Sequence, residues 1–318
     1  MDQKFIEIAK NELREDDLRK TQSLAQFREW ISKHPFLSEV RQGIILRFVI
    51  EVLVFQFDLL LDDCFLLQFL RAKKYSVDDA FQTFEKCFLA KKRYAQFFDQ
   101  PEEVMAKALQ LLETGYFLPL SGRDSAGRKI VLMRTKKADM DLYDSQDAMR
   151  LMVYIVSVLM EEEETQIGGL IFIFDHMDIT LRHIMSPIDV KNFMSFVKNC
   201  ACIRQKGNFV VNLPTFANYM IELFKTGLSE KLKQRVFILK NNDELKALID
   251  PSMLPSEYGG LKTDMEMLEE FKKLAEEKSE LTKLSLGAQI DWSKVPVEKI
   301  QPGDEVDPVG SFRKLEID

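Results

Sequence analysis

Few residues of this sequence could carry out catalysis. The 318-residue chain has three histidines, His34, His176 and His183. Asp175 and His176 end an apolar run typical of a strand, and functional groups of α/β proteins gather at such strand ends. They could serve a hydrolase, or bind a metal with Asp178 and His183. A hydrolase also needs an activated nucleophile beside its base, and the sequence has no G-x-S-x-G motif. We therefore expect His176 and His183 to anchor a loop, with no enzymatic activity, catalytic residue or metal site.

Motifs for cofactors and structural zinc are also absent from the sequence. It contains neither G-x-G-x-x-G nor G-x-x-x-x-G-K-[ST]. The cysteines, Cys64, Cys87, Cys200 and Cys202, match no zinc spacing. Reduced thiols and a charged N-terminus that is no signal peptide are typical of the cytoplasm. We expect no cofactor. The acidic run Glu161–Glu164 is interpreted as a solvated helix end.

The composition leaves two interpretations open. The chain has 24 Phe and 14 Met, with 46% hydrophobic residues. This fits either a large ordinary core or a cavity lined for an apolar ligand. The net charge of -7 disfavours binding to nucleic acid, so any anion site must be a local basic patch.

Residues 1–100 are predicted to form a small helical domain, which His34-Pro35 interrupts. Within it, residues 43–61 are nearly all Ile, Leu, Val and Phe. Three charges in this stretch disfavour a membrane span. Our hypothesis is that 43–61 is an insertion, derived from noncoding sequence, and the alternative is a membrane-associated helix.

Four short apolar runs follow, at 127–134, 168–175, 208–213 and 235–240. Helical stretches separate them, at 145–164, 188–200, 215–225 and 243–249. Strands that alternate with helices indicate an α/β fold with a mostly parallel sheet, and continuous apolar runs indicate strands buried on both faces. We assign this domain to 101–262, and a C-terminal helix with an irregular tail to 263–318.

Several stretches together resemble the CRAL-TRIO family of lipid carriers. They are DDCFLLQFLRAKKYSVDDA, GRKIVLMR, ETQIGGLIFIFDHMDITLRH, NFVVNLPTFANYMIELFKTGLSEKLKQRVFIL and IDPSMLPSEYGG. The resemblance spans about residues 10–300 in order. It implies an N-terminal helical bundle, then a domain with an apolar cavity between a sheet and covering helices. One departure is Asp178, which stands where the family has a glycine.

The resemblance also implies a gate over the cavity and a set of lining residues. The gate is a mobile amphipathic helix, here expected at 216–225, with the apolar residues Phe216, Tyr219, Met220, Leu223 and Phe224. The expected cavity lining is Met149, Met152, Val156, Leu170, Phe172, Phe174, Phe196 and Val197. Met and Val on helix 145–164 leave few hydrogen-bond partners for a polar ligand end.

A basic patch stands out in residues 198–240, where eight Lys and Arg face only two Glu. Such a stretch alone fits a solvated surface. In the family, basic residues at matching positions hold phosphoinositide headgroups, and here these are Arg204, Lys206, Lys231 and Arg235. Lys73, or Arg71, adds a fifth contact. Lys231 and Arg235 share one face if their segment is helical, and both residue types suit phosphate.

We therefore expect a monomeric cytoplasmic protein that binds and transfers a tocopherol-, retinoid- or other lipid-like molecule. Phosphatidylinositol bisphosphate would dock it transiently on endosomal or plasma membrane. The alternatives are a regulatory module that responds to its bound lipid and, third, an α/β hydrolase.

Overall fold

The computed structural model describes residues 1–37, 41–42, 62–98, 101–200 and 202–299. The hypothetical insertion at 43–61 lies outside these ranges. In the described part of the chain, no helix combines the length and the apolarity that crossing a membrane requires.

The N-terminal region is helical, as the sequence predicts. It contains α1 (Gln3–Ile8), which continues as a π-helical turn (Ala9–Leu13), α2 (Asp17–Lys33), the two-residue strand β1 (Arg41–Gln42), α3 (Asp63–Ala72) and α4 (Val77–Arg93). Helix α2 ends at Lys33 because Pro35 disfavours helical backbone at His34, which is extended. Edge-to-face aromatic contacts fill the core between α2, α3 and α4, with ring centroids of Phe27 and Phe84 5.5 Å apart. Many of the phenylalanines therefore serve ordinary packing.

A five-stranded sheet forms the centre of the second region. Its strands are β2 (Phe117–Pro119), β3 (Lys129–Arg134), β4 (Leu170–Asp175), β5 (Gln205–Val211) and β6 (Val236–Leu239). They lie in the order β2-β3-β4-β5-β6, with β2 antiparallel to β3 and the others parallel. The four predicted apolar runs are β3 to β6, and the predicted α/β fold class is confirmed. β2 was not predicted, because three residues carry too little pattern.

Helices connect and cover these strands. They are α5 (Glu102–Glu113), α6 (Ser145–Met160), α7 (Glu163–Gly168), α8 (Pro187–Cys200), α9 (Asn218–Thr226), α10 (Glu230–Lys233) and α11 (Asn242–Lys246). A capping box between Asp144 and Asp147 starts α6. The predicted helix 145–164 is divided in two, because Glu162 adopts extended backbone between α6 and α7. The main core lies between the sheet and α5 and α6.

The C-terminal helices α12 (Asp264–Glu277) and α13 (Ser279–Gly287) fold back onto both regions. Phe271 of α12 joins the core of the sheet, and α13 contacts α6. After α13, strand β7 (Ala288–Gln289) pairs antiparallel with β1. The division into domains at residues 100 and 262 remains a prediction.

A buried arginine joins the N-terminal region to the sheet region. Arg71 of α3 is fully buried and donates to Glu15 at 2.7 and 2.9 Å, to Glu163 at 2.6 Å and to Gln166 at 2.8 Å. Burial disfavours the charge, but hydrogen bonds and charge from Glu15 and Glu163 outweigh it and raise the pKa of Arg71. Arg71 is therefore a structural ion and not available to a headgroup, which leaves Lys73 as the fifth predicted contact.

We expect Arg71→Met to lower the free energy of unfolding by about 3–5 kcal/mol, because it leaves Glu15 without its cation and Glu163 with only the Lys20 ammonium at 3.6 Å. Urea denaturation at pH 7 measures this. The matched control is Lys33→Met, which removes an exposed pair with Glu29 and should cost less than about 1 kcal/mol. Adding Glu15→Gln and Glu163→Gln to Arg71→Met should restore part of the loss. A loss below about 1 kcal/mol for Arg71→Met would contradict the assignment.

Candidate functional site

One face of the sheet forms the floor of a cavity of about 550 Å³. On β4, Phe172 and Phe174 point to the same face, because side chains alternate along a strand. Strand pairing places Met133 of β3 opposite Phe174, and Asn208 of β5 opposite Phe172. All four side chains line the cavity. The floor therefore follows from the register of three neighbouring strands.

Seven of the eight residues predicted to line a cavity surround this space. They are Phe172 and Phe174 from β4, with Met149, Met152, Val156, Phe196 and Val197 from α6 and α8. The eighth, Leu170, shares the strand face of Phe172 but lies at the amino end of β4. There the Arg204 carbonyl accepts the Leu170 N–H, and the side chain is fully buried in the core. Leu170 is thus a core residue outside the cavity wall.

The cavity also extends to helices that the sequence pattern did not assign to it. Phe65 and Gln68 of α3, Phe88 of α4, and Ser285 and Leu286 of α13 line its far side. A strand or helix pattern identifies which face of an element is apolar, but the neighbour of that face is decided by tertiary packing. The far wall consequently had no signal in the sequence.

Helix α9 covers the cavity, in the place predicted for a gate. The segment begins as a 3₁₀ turn (Thr215–Ala217) and becomes α-helical from Asn218. Of the predicted apolar residues, Phe224 lines the cavity and packs edge-to-face on Phe193 of α8, with centroids 5.9 Å apart. Leu223 is half-buried, and the side chain of Met220 lies outside the described residues.

The two remaining gate residues point outward. Phe216 is 47% exposed and Tyr219 is 53% exposed. The inner face of the segment is instead formed by Ile221, Phe224 and Leu228, all of which line the cavity. Phe224 was among the predicted gate residues. Ile221, three residues earlier on the same helix face, and Leu228, which follows the end of α9, were not predicted. The segment therefore has an inner apolar face and a separate outer one.

The residues at the carboxyl ends of the strands have structural partners. Asp175 accepts from the hydroxyl of Tyr258 and from Asn212 at 2.8 Å. The His176 ring lies 3.0 Å from Thr135 Oγ1, and burial lowers the pKa of His176 to about 4, so the ring is neutral at pH 7. His183 contacts Thr180, at 2.9 Å between Nδ1 and Oγ1.

These contacts give the strand ends a role in shaping the loop. Among the described residues, no three His, Cys, Asp or Glu side chains are grouped as metal ligands would be. Asp178, which stands at the family's glycine position, adopts a left-handed φ of 60°. The loop therefore keeps the conformation that a glycine favours, and Asp is one of the few other residues that adopt it.

Three predicted phosphoinositide ligands lie together at the amino ends of β4 and β5. Lys206 pairs with Glu12 at 2.6 Å, and Arg204 also pairs with Glu12. Burial lowers the pKa of Lys206, and the charges of Arg204 and Arg235 add to this effect while Glu12 opposes it. Burial would raise the pKa of Glu12, but its two cations outweigh that and lower it. Arg204 and Lys206 thus share the Glu12 carboxylate, and Arg235 adds a third positive charge beside them.

The backbone conformation of two neighbouring segments positions Arg204 and Lys206. Leu170 pairs with Gln205 and Ile171 pairs with Gly207, so Lys206 is the extra residue of a β-bulge. Gly169 precedes β4 with φ of 86°, and a Cβ there would lie 2.3 Å from the Arg204 carbonyl oxygen. Only glycine permits this approach. The second glycine of the GG pair in ETQIGGLIFIFDHMDITLRH thereby allows the segment with Arg204 and Lys206 to pack against the start of β4.

Arg235 is half-buried like Arg204 and Lys206, whereas Lys231 and Lys73 are exposed. Arg235 follows α10, which ends at Lys233, and its guanidinium donates to the Gln205 carbonyl. Lys231 lies on α10, so the predicted shared helix face with Arg235 is not formed. Lys73 follows the last residue of α3, and its charge opposes the burial that raises the pKa of the Cys202 thiol, two residues before Arg204. In the described chain neither Lys73 nor Lys231 has an ion-pair partner.

Comparisons with known proteins agree with this architecture. Residues 113–260 match the family model described as CRAL/TRIO domain. Clavesin-1 of Rattus norvegicus is 29% identical over 258 residues, which cover 80% of this chain and 68% of that protein. Clavesin-2 of Homo sapiens is 28% identical over 231 residues, covering 72% and 69%.

A solved structure shares the fold. The crystal structure of Sfh5 superposes with a TM-score of 0.50 at 14% sequence identity, over 80% of this chain and 92% of that one. At this identity the likeness extends to the fold alone.

Proposed function

We propose that this chain, whose residues 113–260 match the CRAL/TRIO domain model, is a CRAL-TRIO protein that binds one apolar, lipid-like molecule in the cavity and transfers it between membranes. The observation that carries the proposal is the cavity of about 550 Å³, whose floor and walls are mainly Phe, Met, Val and Leu side chains. Its size falls in the range of small-molecule sites. Burial of apolar ligand surface at about 25 cal/mol per Å² supplies the affinity without covalent chemistry.

The cavity assignment is tested by filling it. We expect Val156→Trp to reduce lipid that co-purifies with the protein by about fivefold or more, because an indole occupies space that the ligand needs. Native mass spectrometry and lipid extraction measure the lipid-to-protein ratio. Leu248→Trp, at a site that is 54% exposed and outside the cavity, is the control. Equal lipid content in both variants, or none in the unmodified protein, would count against the proposal.

The basic patch, defined as Arg204, Lys206, Lys231, Arg235 and Lys73, is proposed to bind phosphatidylinositol bisphosphate during docking. The proposal is supported by the cluster of Arg204, Lys206 and Arg235. These residues carry three positive charges, and Glu12 supplies one negative charge. A phosphate offers several acceptor oxygens, and charge-assisted hydrogen bonds to it are stronger than neutral ones. Lys231 on α10 and Lys73 after α3 contribute exposed positive charge.

We expect Lys73→Glu with Lys231→Glu to weaken binding to vesicles containing this lipid by about tenfold or more, since each basic residue near an anionic surface contributes about 1 kcal/mol. Vesicle sedimentation at physiological salt measures the binding. The control, Lys33→Glu with Lys283→Glu, changes the net charge equally at two exposed lysines outside the patch. The patch is wrongly placed if both double variants lose affinity equally.

Glu12 already fills part of this patch, so a headgroup that binds Arg204 and Lys206 must displace it. Glu12→Gln removes the competing charge, and we expect vesicle affinity to rise by about threefold to tenfold. Glu7→Gln, an exposed residue of α1 with the same charge change, is the control. If Glu12→Gln and Glu7→Gln raise affinity equally, net charge is the cause and the direct competition is refuted.

The outer face of the gate supports membrane docking. Phe216 and Tyr219 are apolar side chains already in contact with solvent, and such residues enter the headgroup boundary of a bilayer. We propose that a monomeric, cytoplasmic protein docks through this face and the basic patch, transiently, on endosomal or plasma membrane. Movement of α9 would then open the cavity to the bilayer.

A further inference from the structure

A carboxyl group lies in the wall of the apolar cavity. Glu161 follows the last residue of α6 and begins the acidic run that the sequence pattern assigned to solvent. Its side chain is instead buried, with 8% of the residue exposed, and it lines the cavity. Ser157, four residues earlier on the same helix face, and Ser285 of α13 line the cavity beside it. One wall is therefore polar.

Glu161 differs from the rest of its run in having no cation. Glu162 and Glu164 pair with Arg123, and Glu163 pairs with Arg71. Among the described residues, no Lys or Arg forms an ion pair with Glu161. The Ser285 hydroxyl lies close enough to lower the pKa of Glu161, but it donates its proton to the Thr282 carbonyl at 3.1 Å. A carboxyl has about four acceptor positions when ionised, so most remain open to the cavity.

The surroundings hold Glu161 near its titration point at neutral pH. Burial raises its pKa to about 7, the charge of Asp62 adds to this, and Ser285 and the more distant Lys278 oppose it. On other helices, the Cys64 thiol of α3 donates to the Glu161 carbonyl, and Lys91 of α4 lines the same cavity. The Lys91 ammonium donates to the carbonyls of Ser285, Leu286 and Ala288.

We propose that Glu161 selects the ligand: the cavity takes an apolar molecule that ends in a hydroxyl, which donates its proton to the Glu161 carboxyl. A hydroxyl satisfies a buried acceptor without adding charge. A ligand carboxylate would place a second negative charge against Glu161, which is unfavourable in a poorly solvated site. A ligand ammonium would meet the Lys91 charge beside Ser285. This inference rests on the proposed lipid binding and names the polar chemistry of its ligand.

The test compares three probes with one chain length: 1-hexadecanol, hexadecanoic acid and hexadecane. Each displaces the neutral fluorophore diphenylhexatriene from the purified protein, at pH 6 and at pH 8. At pH 8, where Glu161 is mostly ionised, we expect the alcohol to bind about tenfold more tightly than the acid, and at pH 6 the two should agree within about threefold. Hexadecane should bind more weakly than the alcohol at both pH values.

Glu161→Gln keeps the shape and an acceptor but removes the charge, and it relieves a buried charge, so we expect it to fold. The affinities of this variant for 1-hexadecanol and for hexadecanoic acid should agree within about threefold at both pH values. Glu164→Gln, a neutralised residue three positions away that does not line the cavity, should behave as the unmodified protein. An unchanged ratio in Glu161→Gln, or equal binding of all three probes, overturns the role of Glu161. Failure of every probe to bind overturns it together with the proposed cavity function.

Discussion

The buried guanidinium of Arg71 is the contact on which the relative placement of the functional parts depends. It reaches from α3 to the N-terminal segment through Glu15 and to α7 through Glu163 and Gln166. Helix α7 leads directly into Gly169 and β4, the strand that supplies the cavity floor. A cation removed from water is stable only with well-placed partners. The helical region and the sheet are thus held in one orientation, and the cavity between them has a defined shape.

The same contact explains why a carboxylate reaches the basic patch. Arg14 adopts a left-handed φ of 63° and ends the first helical segment, so the chain turns between Glu12 and Glu15. Glu15 is fixed on Arg71, and Phe5 and Leu13 are buried against α7. Glu12 is thereby held over Arg204 and Lys206. One short stretch of chain therefore joins the anchoring of the N-terminal segment to the basic patch that we propose for membrane docking.

The sequence predicted what depends on periodicity and missed what depends on contacts between distant segments. The apolar runs at 127–134 and 168–175 specify buried strands, and alternation along β4 identifies Phe172 and Phe174 as sharing a face. The same alternation puts Leu170 on the face of Phe172 and Phe174. Leu170 lies outside the cavity because the amino end of β4 is packed into the core. The same limit applies to charged residues. Arg204 and Lys206 were recognisable in the sequence as a basic pair, but their partner Glu12 was not, because it lies nearly two hundred residues away in the chain. The abundant phenylalanines divide between the core of the helical region, as with Phe27, and the cavity.

A cavity of this size also constrains the state in which the protein exists. Leaving apolar space empty costs about 24 cal/mol per Å³ in a protein core, so a dry, vacant cavity of about 550 Å³ would cost on the order of 10 kcal/mol, comparable to the whole stability of a domain. The cavity must therefore hold a ligand or water, or close by movement of a wall. Water is favoured only where polar groups can bind it, and groups such as Glu161, Ser285, Gln68 and Asn208 provide such places between larger apolar areas of the lining. The remaining apolar space would be filled by an apolar ligand or reduced by inward movement of α9, whose inner face already lines the cavity. Ligand binding and inward movement of α9 are then two ways of avoiding the same energetic cost, and ligand release would have to be accompanied by one of the other changes.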